Sequence, residues 1–347
     1  MLVDSPPEQR AETAPAPPTR RAVRALGLLL SVAILVLVAL ASIAIGAKAL
    51  TPDQVWHGLF HGTGTYGDVV VDERLARTVL GLLAGAALGL SGAVLQALTR
   101  NPLADPGLLG INAGASAAVV TALTYFGVTS LSGYVWFAFG GAAAVGALVW
   151  FLGGSRGATP VRLALAGTAI SAALYGYLQA VMIMDDAALG KMRFWTVGSL
   201  ASATDSTIVQ VLPFLAAGTL LALALARPLN AVAMGDDTAR ALGANLTRTR
   251  ALAMLAATVL CGAATAACGP IVFVGLMVPH VVRSFTGPDL RWILPYATVL
   301  SPVLLLGADV IGRVVARPSE LQVGIVTAII GGPVFIFLVR RRRTAQL

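Results

Sequence analysis

The sequence has few charged residues for its length: Asp, Glu, Lys and Arg make up only 12% of its 347 residues. A soluble domain carries about 25%, so this scarcity excludes an ordinary soluble globular protein. Hydrophobic residues account for 57% of the chain. Because a bilayer-spanning helix needs about 20 predominantly apolar residues, the composition predicts about ten spans. The predicted fold class is an all-α polytopic membrane protein.

The sequence also lacks the machinery to hydrolyse ATP. No G-x-x-x-x-G-K-[ST] phosphate loop occurs, and Gly190-Lys191 has neither the upstream glycine nor the following hydroxyl residue. No nucleophile–base pair or paired carboxylates indicate another enzyme. Acidic residues are almost absent from the spans, where Asp309 is the sole candidate for ion coupling. Arg313 follows it by four residues, which favours a structural ion pair, although an ion-coupled secondary transporter stays open as a function of another class.

Cysteine and histidine are equally scarce, with two of the first and three of the second. Cys261 and Cys268 are seven residues apart on one predicted helix, a rise of about 10 Å, which is too far for a disulfide. His57 and His61 have a metal-compatible spacing but lie in a predicted short amphipathic surface helix. His280 has no second ligand nearby. The sequence therefore predicts no metal site.

Ten apolar segments are predicted to span the membrane. They cover residues 26–48, 75–98, 107–126, 134–153, 163–184, 207–226, 251–268, 271–285, 292–312 and 322–339. Around Gly269-Pro270, two short helices or one broken helix remain open. Residues 1–25 are predicted to be a disordered cytoplasmic tail, and residues 26–343 the transmembrane domain. On this topology 17 Lys and Arg residues lie on the side of the amino terminus and 7 on the other, so both termini are predicted to be cytoplasmic in the plasma membrane.

The loop at residues 227–250 is longer than a connector needs. Asp236 and Asp237 follow Gly235 and favour the positive amino end of a short helix, and Gly243 lies where a helix stop is expected. The pattern predicts two short helices around a bend, with Leu229, Val232, Met234 and Leu242 as apolar contacts. We interpret the loop as a docking knob for a soluble partner, with a membrane-surface helix as the alternative.

Three further features stand out along the spans. Arg74 and Arg77 lie one helical turn apart, on the same predicted outer side as Arg313, where they could bind a partner's carboxylates or act as ordinary interfacial anchors. The segment 99–107 contains Asn101-Pro102 and Asp105-Pro106, which force a non-helical stretch, either a gate or a tight turn. Glycines recur every fourth residue at Gly81, Gly85 and Gly89, which predicts a helix-packing ridge.

These segments together resemble the FecCD family, the permease subunits of ABC importers for iron-siderophores, haem and vitamin B12. The resemblance runs from about residue 70 to 340 and is carried by ERLART (73–78), GLSGAVLQALTRNPLADPGLLGINAGAS (89–116), RFWTVGSL (193–200), LNAVAMGDDTARALG (229–243), GPIVFVGLMVPHVVR (269–283) and SELQVGIVTAIIGGPVFIFLVRR (319–341). TRNPLADPGLLG, RFWTVGSL and IFLVRR look most similar to ferric-enterobactin permease subunits. Ala76 and Gln322 stand where the family commonly has proline.

The resemblance implies a type II ABC importer permease fold with ten helices. It implies a second permease subunit, with a heterodimer favoured, two cytoplasmic ATPase subunits that use ATP and Mg, and an external siderophore-binding protein. The chain itself would bind no cofactor and no nucleic acid, and membrane lipid would surround it. The implied cargo is a ferric siderophore, of the catecholate type, carried into the cytoplasm, with vitamin B12 or haem as the alternative.

The resemblance also implies roles for particular residues. Arg74, Arg77 and Arg313 match positions at which the family's vitamin B12 importer docks its binding protein. Asn101 and Leu103 match its cytoplasmic gate. The residues that match the ATPase-coupling helices are Leu229, Asn230, Gly235, Asp236, Asp237, Ala239, Leu242 and Gly243.

Overall fold

A computed structural model describes residues 20–61, 64–128, 130–154 and 160–343 of the chain. Every regular element in these ranges is helical. The α-helices are α1 (Arg20–Ala44), α2 (Pro52–Phe60), α3 (Tyr66–Thr99), α4 (Ile111–Tyr125), α5 (Leu131–Gly154), α6 (Pro160–Met184), α7 (Asp186–Trp195), α8 (Asp205–Ala224), α9 (Ala226–Ala233), α10 (Asp236–Ala241), α11 (Leu246–Cys268), α12 (Val274–Thr286), α13 (Leu290–Val315) and α14 (Val323–Arg343). A short 3-10 helix, Pro106–Leu109, precedes α4.

Each of the ten predicted spans corresponds to one helix of this set. By length and composition alone, seven described helices could cross a membrane, namely α1, α3, α5, α6, α8, α11 and α13. Helices α4 and α14 are shorter and apolar, and α12 has 13 residues. Of the predicted disordered tail at 1–25, residues 1–19 lie outside the described residues. Residues 20–25 are helical, because α1 begins at Arg20, earlier than the apolar run suggested.

The chain breaks cleanly at Gly269-Pro270 into two helices. Gly269 has a φ of 73° and Phe273, the residue that precedes α12, has a φ of 70°. Both values lie in the left-handed region, which few residues other than glycine adopt readily. The open question of one broken helix or two is therefore decided in favour of two, α11 and α12.

The glycine ridge of α3 is a helix-packing face, as predicted. A Cβ atom added at Gly81, Gly85 or Gly89 would meet Leu306, Pro302 or Ser301 of α13, respectively. The ridge extends one further turn, to Gly92, where a Cβ would overlap the backbone of Gly275 in α12. Because small residues let helix backbones approach closely, α3 lies at the centre of the bundle, with about 78% of its apolar window buried.

The two ends of the bundle carry different chemistry. We call the end with Arg74, Arg77 and Arg313 the arginine end, and the end with α9 and α10 the loop end. Helix α3 has 34 residues and therefore runs about 51 Å between them. Helix α1 begins at the loop end, where Tyr296 donates to the carbonyl of Arg24 at 2.7 Å, and α14 leaves the arginine end towards the loop end. The first and last described residues thus lie on the same side.

Candidate functional site

A cluster of charged side chains joins α3 to α13 at the arginine end. Arg77 donates from Nε to both carboxylate oxygens of Asp309, at 3.1 and 3.0 Å, and from Nη2 to Oδ1 at 2.7 Å. Its Nη1 donates to Oε2 of Glu320 at 2.7 Å. Arg313 lies 3.0 Å from the other oxygen of Asp309. The predicted pair of Asp309 with Arg313 is therefore present, but Arg77 makes the closer bonds to this carboxylate.

The other arginine contacts fasten the carboxyl end of α1. Arg74 donates to three carbonyl oxygens at that end, those of Ile43, Ala44 and Lys48. Arg313 donates to the carbonyl of Ser42 and to its hydroxyl, each at 2.9 Å. The last carbonyls of a helix have no partner within the helix and carry partial negative charge. The two guanidinium groups satisfy some of these carbonyls and bind α1 to the bundle.

The three arginines therefore lie together but face inward. Arg74, Arg77 and Arg313 are only 6%, 9% and 1% exposed, whereas both alternatives from the sequence, binding of a partner or interfacial anchoring, would place these side chains at the surface. Sequence reasoning missed their internal partners, Ser42 and Glu320. Glu320 lies beyond α13, 243 positions from Arg77 in the chain, so only the tertiary fold reveals its role. The most accessible group of the cluster is the Glu320 carboxylate, at 35% side-chain exposure.

At the loop end, α9 and α10 meet at a bend, as predicted. Gly235 lies at the bend with a φ of 116°, and Gly243, with a φ of 77°, follows α10. These backbone conformations favour glycine. Asp236 begins α10 and is held by two arginines: Arg250 of α11 donates to its two oxygens at 2.9 and 2.8 Å, and Arg100, which follows α3, also bonds to it.

The electrostatics of Asp236 strengthen this attachment. Partial burial alone would raise its pKa, but hydrogen bonds and positive charge from Arg250 and Arg100 hold the pKa of this carboxyl below its usual range. Arg100 also donates from Nε to the carbonyl of Val232 in α9 at 2.9 Å. The bend is therefore anchored to both α3 and α11 through charge-assisted hydrogen bonds, which are stronger than neutral ones.

A second anchor ties α9 to the start of α13. The amide nitrogen of Asn230 donates to Oδ1 of Asp289 at 2.7 Å, and its amide oxygen accepts from the backbone N–H of Leu290 at 2.9 Å. Hydrogen bonds from Arg291, followed by that from Asn230, outweigh burial and lower the pKa of Asp289 to about 2. The carboxylate thus remains charged at neutral pH and holds Asn230 in place.

Apart from Gly235 and Gly243, the residues predicted to couple to an ATPase divide into an inner set of four and an outer set of two. Leu229 and Ala239 are fully buried, and Asn230 and Asp236 bond to the bundle as described above. Leu242 is 61% exposed, as is its neighbour across the bend, Met234, at 59%; the side chain of Asp237 is fully exposed. The knob therefore exposes apolar and acidic side chains, while its inner residues fix it to the bundle.

The segment after α3 forms a tight turn beside a cavity. Asn101 accepts from the backbone N–H of Leu103 at 2.9 Å, and Asp105 accepts from that of Gly107 at 2.7 Å. Asn101 lines a cavity of about 340 Å³ between this turn and the start of α6, and Leu103 is 36% exposed. Of the two predicted gate residues, Asn101 thus borders a space near the loop end, and neither Asn101 nor Leu103 is packed into the core.

His57, His61 and the two cysteines are surrounded by groups that give them structural roles. His57 Nδ1 lies 3.3 Å from Oδ1 of Asp68 and its ring stacks on that of His61. This pair is in α2, the short surface helix expected from the sequence, which begins with a capping box at Thr51. Cys261 and Cys268 are buried and free. Within the described ranges, no group of three or more His, Cys, Asp or Glu side chains is placed to hold a metal ion.

A bundle in which seven described helices are long and apolar enough to cross a bilayer indicates a multi-pass membrane protein. The FecCD transport family model matches residues 34–341, and the chain belongs to this family.

Several characterised relatives match along nearly the whole chain. The ferric enterobactin transport system permease protein FepD of Escherichia coli is 48% identical over 327 residues, which cover 93% of this chain and 96% of the relative. The Fe(3+)-citrate import system permease protein YfmD of Bacillus subtilis is 39% identical, with 88% and 91% covered. A solved metal-chelate type ABC transporter in an inward-facing conformation superposes with a TM-score of 0.80 at 27% identity and covers 93% of this chain and 99% of its own. The predicted family and fold are confirmed.

Proposed function

We propose that this chain is the permease subunit of an ATP-driven importer that carries a ferric siderophore of the catecholate type across the plasma membrane into the cytoplasm. The observation that carries the proposal is the anchored knob at the loop end. It is fastened to α3, α11 and α13 from beneath and exposes Met234, Asp237 and Leu242 on its outer surface. Similarity to the enterobactin permease supports the cargo class.

The knob suits a subunit that is driven by a separate motor. Two cytoplasmic ATPase subunits, which use ATP with Mg, would bear on the exposed surface of α9 and α10. A push there would reach α3 and α11 through Asp236 and α13 through Asn230, because both contacts are direct hydrogen bonds. Transport then requires contacts that differ between the two states of the permease, since equal binding to both would shift nothing.

The proposed orientation places the loop end in the cytoplasm. Arg100, Arg227, Arg240, Arg248, Arg250, Arg283 and Arg291 all lie at or near that end in the described chain, in keeping with an excess of basic residues in cytoplasmic segments. Both termini would then be cytoplasmic. A second permease subunit, a paralogue rather than an identical copy, would complete the path, and Asn101 with Leu103 would form part of its cytoplasmic gate.

The arginine end would then face outward and receive the chelate-binding protein. Because Arg77 already binds the partly exposed Glu320 carboxylate at 2.7 Å, a carboxylate of the incoming protein could replace it with little change in chemistry. Arg74 and Arg313 would contribute from below, by holding the end of α1 and the shape of the surface. Docking at Arg77 would thus proceed by exchange of its carboxylate partner.

The proposal is tested by reconstituting the complete importer in vesicles. We expect ATP- and binding-protein-dependent uptake of a radiolabelled ferric catecholate, with the nucleotide-binding subunits co-purifying with this chain. Uptake driven by an ion gradient with the chain alone would overturn the importer assignment. Uptake of haem or a corrinoid, with no uptake of the ferric catecholate, would overturn the cargo. Arg77→Lys, which keeps the charge but cannot bind two carboxylates in the same geometry, should weaken stimulation by the binding protein, whereas Lys48→Gln at the same end should not.

A further inference from the structure

A cavity of about 330 Å³ with several polar side chains in its lining lies at the arginine end, beside α7. Its walls come from the start of α5, from α7 and the segment that follows it, from the end of α11 and from the residue before α14. The chemically active side chains in these walls are Tyr134, Lys191, Trp195, Ser202 and Gln322. We call it the α7 cavity. It shares no residue with the arginine cluster or with the anchored knob.

The chemistry of the α7 cavity is that of a site for an anion. Its described lining contains an ammonium group, two aromatic rings, two serine hydroxyls, a thiol and an amide, and it contains no carboxylate. Lys191 forms no ion pair within 4 Å among the residues that the structure describes. Asp185, whose carboxyl feels the charge of Lys191, accepts hydrogen bonds from two backbone N–H groups at the start of α7. Among the described residues, no carboxylate is thus close enough to Lys191 to occupy its ammonium group.

Trp195 provides a second, independent observation. Its indole nitrogen is buried and has no hydrogen-bond acceptor among the described residues, although a buried donor without a partner costs about 1–3 kcal/mol. The backbone at this point is fixed: the carbonyl of Trp195 accepts from Gly198, and Ser199 donates to the carbonyl of Cys268 at 2.7 Å. The indole lines the α7 cavity, and its N–H, which no described acceptor occupies, would reach a ligand oxygen once the ring shifts towards the cavity.

We propose that the α7 cavity receives one catecholate arm of the ferric chelate as it enters the permease. This inference rests on the proposed function. A ferric tris-catecholate is an anion, because its phenolate charges outnumber those of ferric iron, and its arms are flat aromatic rings. Lys191 would bind a phenolate oxygen, the Trp195 N–H would donate to another oxygen, and the rings of Tyr134 and Trp195 would contact the catechol face. The cavity is large enough for one ring but not for the whole chelate, so it acts as a recognition subsite.

The chain offers a built-in control for the test, because Lys48 and Lys191 are its only two lysines. Both lie at the arginine end, but Lys48 is outside the α7 cavity, with its Nζ 3.5 Å from the centre of the Tyr66 ring. The complete importer is treated with an amine-acetylating reagent, with and without the gallium tris-catecholate, and both lysines are followed by mass spectrometry. We expect at least fivefold slower acetylation of Lys191 with the chelate and no change at Lys48. Equal protection of both lysines, or none, would overturn the subsite.

Transport kinetics provide the second arm and separate the subsite from the proposed function. Lys191→Gln and Trp195→Phe should each raise the KM for the ferric catecholate roughly tenfold, the loss expected for a hydrogen bond to a charged group, with kcat little changed. Lys48→Gln should leave KM unaltered. If the wild-type importer carries the catecholate and both cavity variants keep its KM, the subsite is wrong while the function stands. If the wild type carries no catecholate, the proposed cargo itself is wrong.

Discussion

Arg77 and Asp309 form the ion pair that locks α3 against α13, with two donor atoms of one side chain on both oxygens of the other. The shortest bond, from Nη2 to Oδ1, measures 2.7 Å, and Asp309 is fully buried. The two residues are 232 positions apart in the sequence. Since Arg313 binds the same carboxylate, one buried negative charge balances parts of two buried positive ones.

Removal of this carboxylate should destabilise the permease severely. Asp309→Ala leaves two buried guanidinium groups without their main counter-charge, and loss of one partner of a buried pair costs about 3–5 kcal/mol. Because Arg77 keeps Glu320 and Arg313 keeps Ser42, we expect the lower part of that range. Thermal unfolding of the purified permease measures this loss of stability. Asp72→Ala, an exposed acid in the same turn of α3 as Arg74, is the control. Equal melting temperatures for the two variants would contradict the interpretation of the pair.

The contact of Gly92 with Gly275 should tolerate no side chain. A Cβ at Gly92 would overlap the backbone carbonyl of Gly275, and backbone in two packed helices has little room to move. Gly92→Ala should therefore cost about 1–3 kcal/mol, the usual range for overpacking. The matched control is Gly307→Ala in α13, where a Cβ would meet nothing within 4 Å and the higher helix propensity of alanine should stabilise by about 0.5–1 kcal/mol. Melting temperatures should thus move in opposite directions, and a common direction would refute the argument.

The sequence was sufficient for the features that depend on local chemistry. Apolar runs located all ten long helices of the bundle, since a span needs only length and hydrophobicity. Glycine spacing identified the packing ridge at Gly81, Gly85 and Gly89, and Gly235 with Gly243 bounded the helix of the knob, since these positions need backbone that glycine adopts easily. Each of these signals lies within a few residues of the structure that it specifies.

Features that depend on distant residues were not predictable in the same way. The spacing of Arg74 and Arg77 in the sequence is the same whether they face a partner protein or the interior. Only the positions of Ser42, Asp309 and Glu320 in the fold decide between these two orientations. Helix α7 escaped prediction because its ten residues are too short and too polar for a span. The α7 cavity could not be predicted either, because Lys191 and Gln322 are brought together only by the packing of helices distant in sequence.

The anchor at Asp236 should be needed for coupling, not for folding of the bundle. Asp236→Asn weakens the bonds to Arg100 and Arg250, so we expect ATP hydrolysis to continue while transport per ATP falls at least fivefold in the reconstituted importer. Asp237→Asn removes the same charge from a neighbour whose bond is to Arg240 within α10 and leaves the anchor intact. A reduction confined to the exposed Asp237 would instead assign coupling to direct contact with the motor.

The pH dependence of this anchor follows from the direction of the pKa shift. Because the pKa of Asp236 is lowered in the fold, its contribution to stability is complete above the unfolded value of about 3.9. It is lost only as the pH falls through the lower, folded value. Attachment of the knob should therefore be constant across neutral and mildly acidic pH. Hydrogen exchange of the backbone amides in α10 measures it. A marked loosening between neutral pH and mild acid would show that another group controls the knob.

The contact of Asn230 with Asp289 allows a sharper test, because its two partners can be exchanged. Asn230→Asp replaces the amide donor by a second carboxylate beside Asp289, so repulsion replaces a 2.7 Å hydrogen bond and transport per ATP should fall about tenfold. Asp289→Asn alone removes the charge that Arg291 binds, and transport per ATP should fall less in this variant. In the double variant a donor again faces an acceptor, and the carboxylate introduced at position 230 can still accept from the Leu290 N–H. A double-mutant cycle should therefore show recovery of about 1 kcal/mol or more over the sum of the single effects. Additive losses would mean that α9 transmits movement by another route. The control for general loosening of the loop end is Asn245→Ala, which removes only the cap of α11.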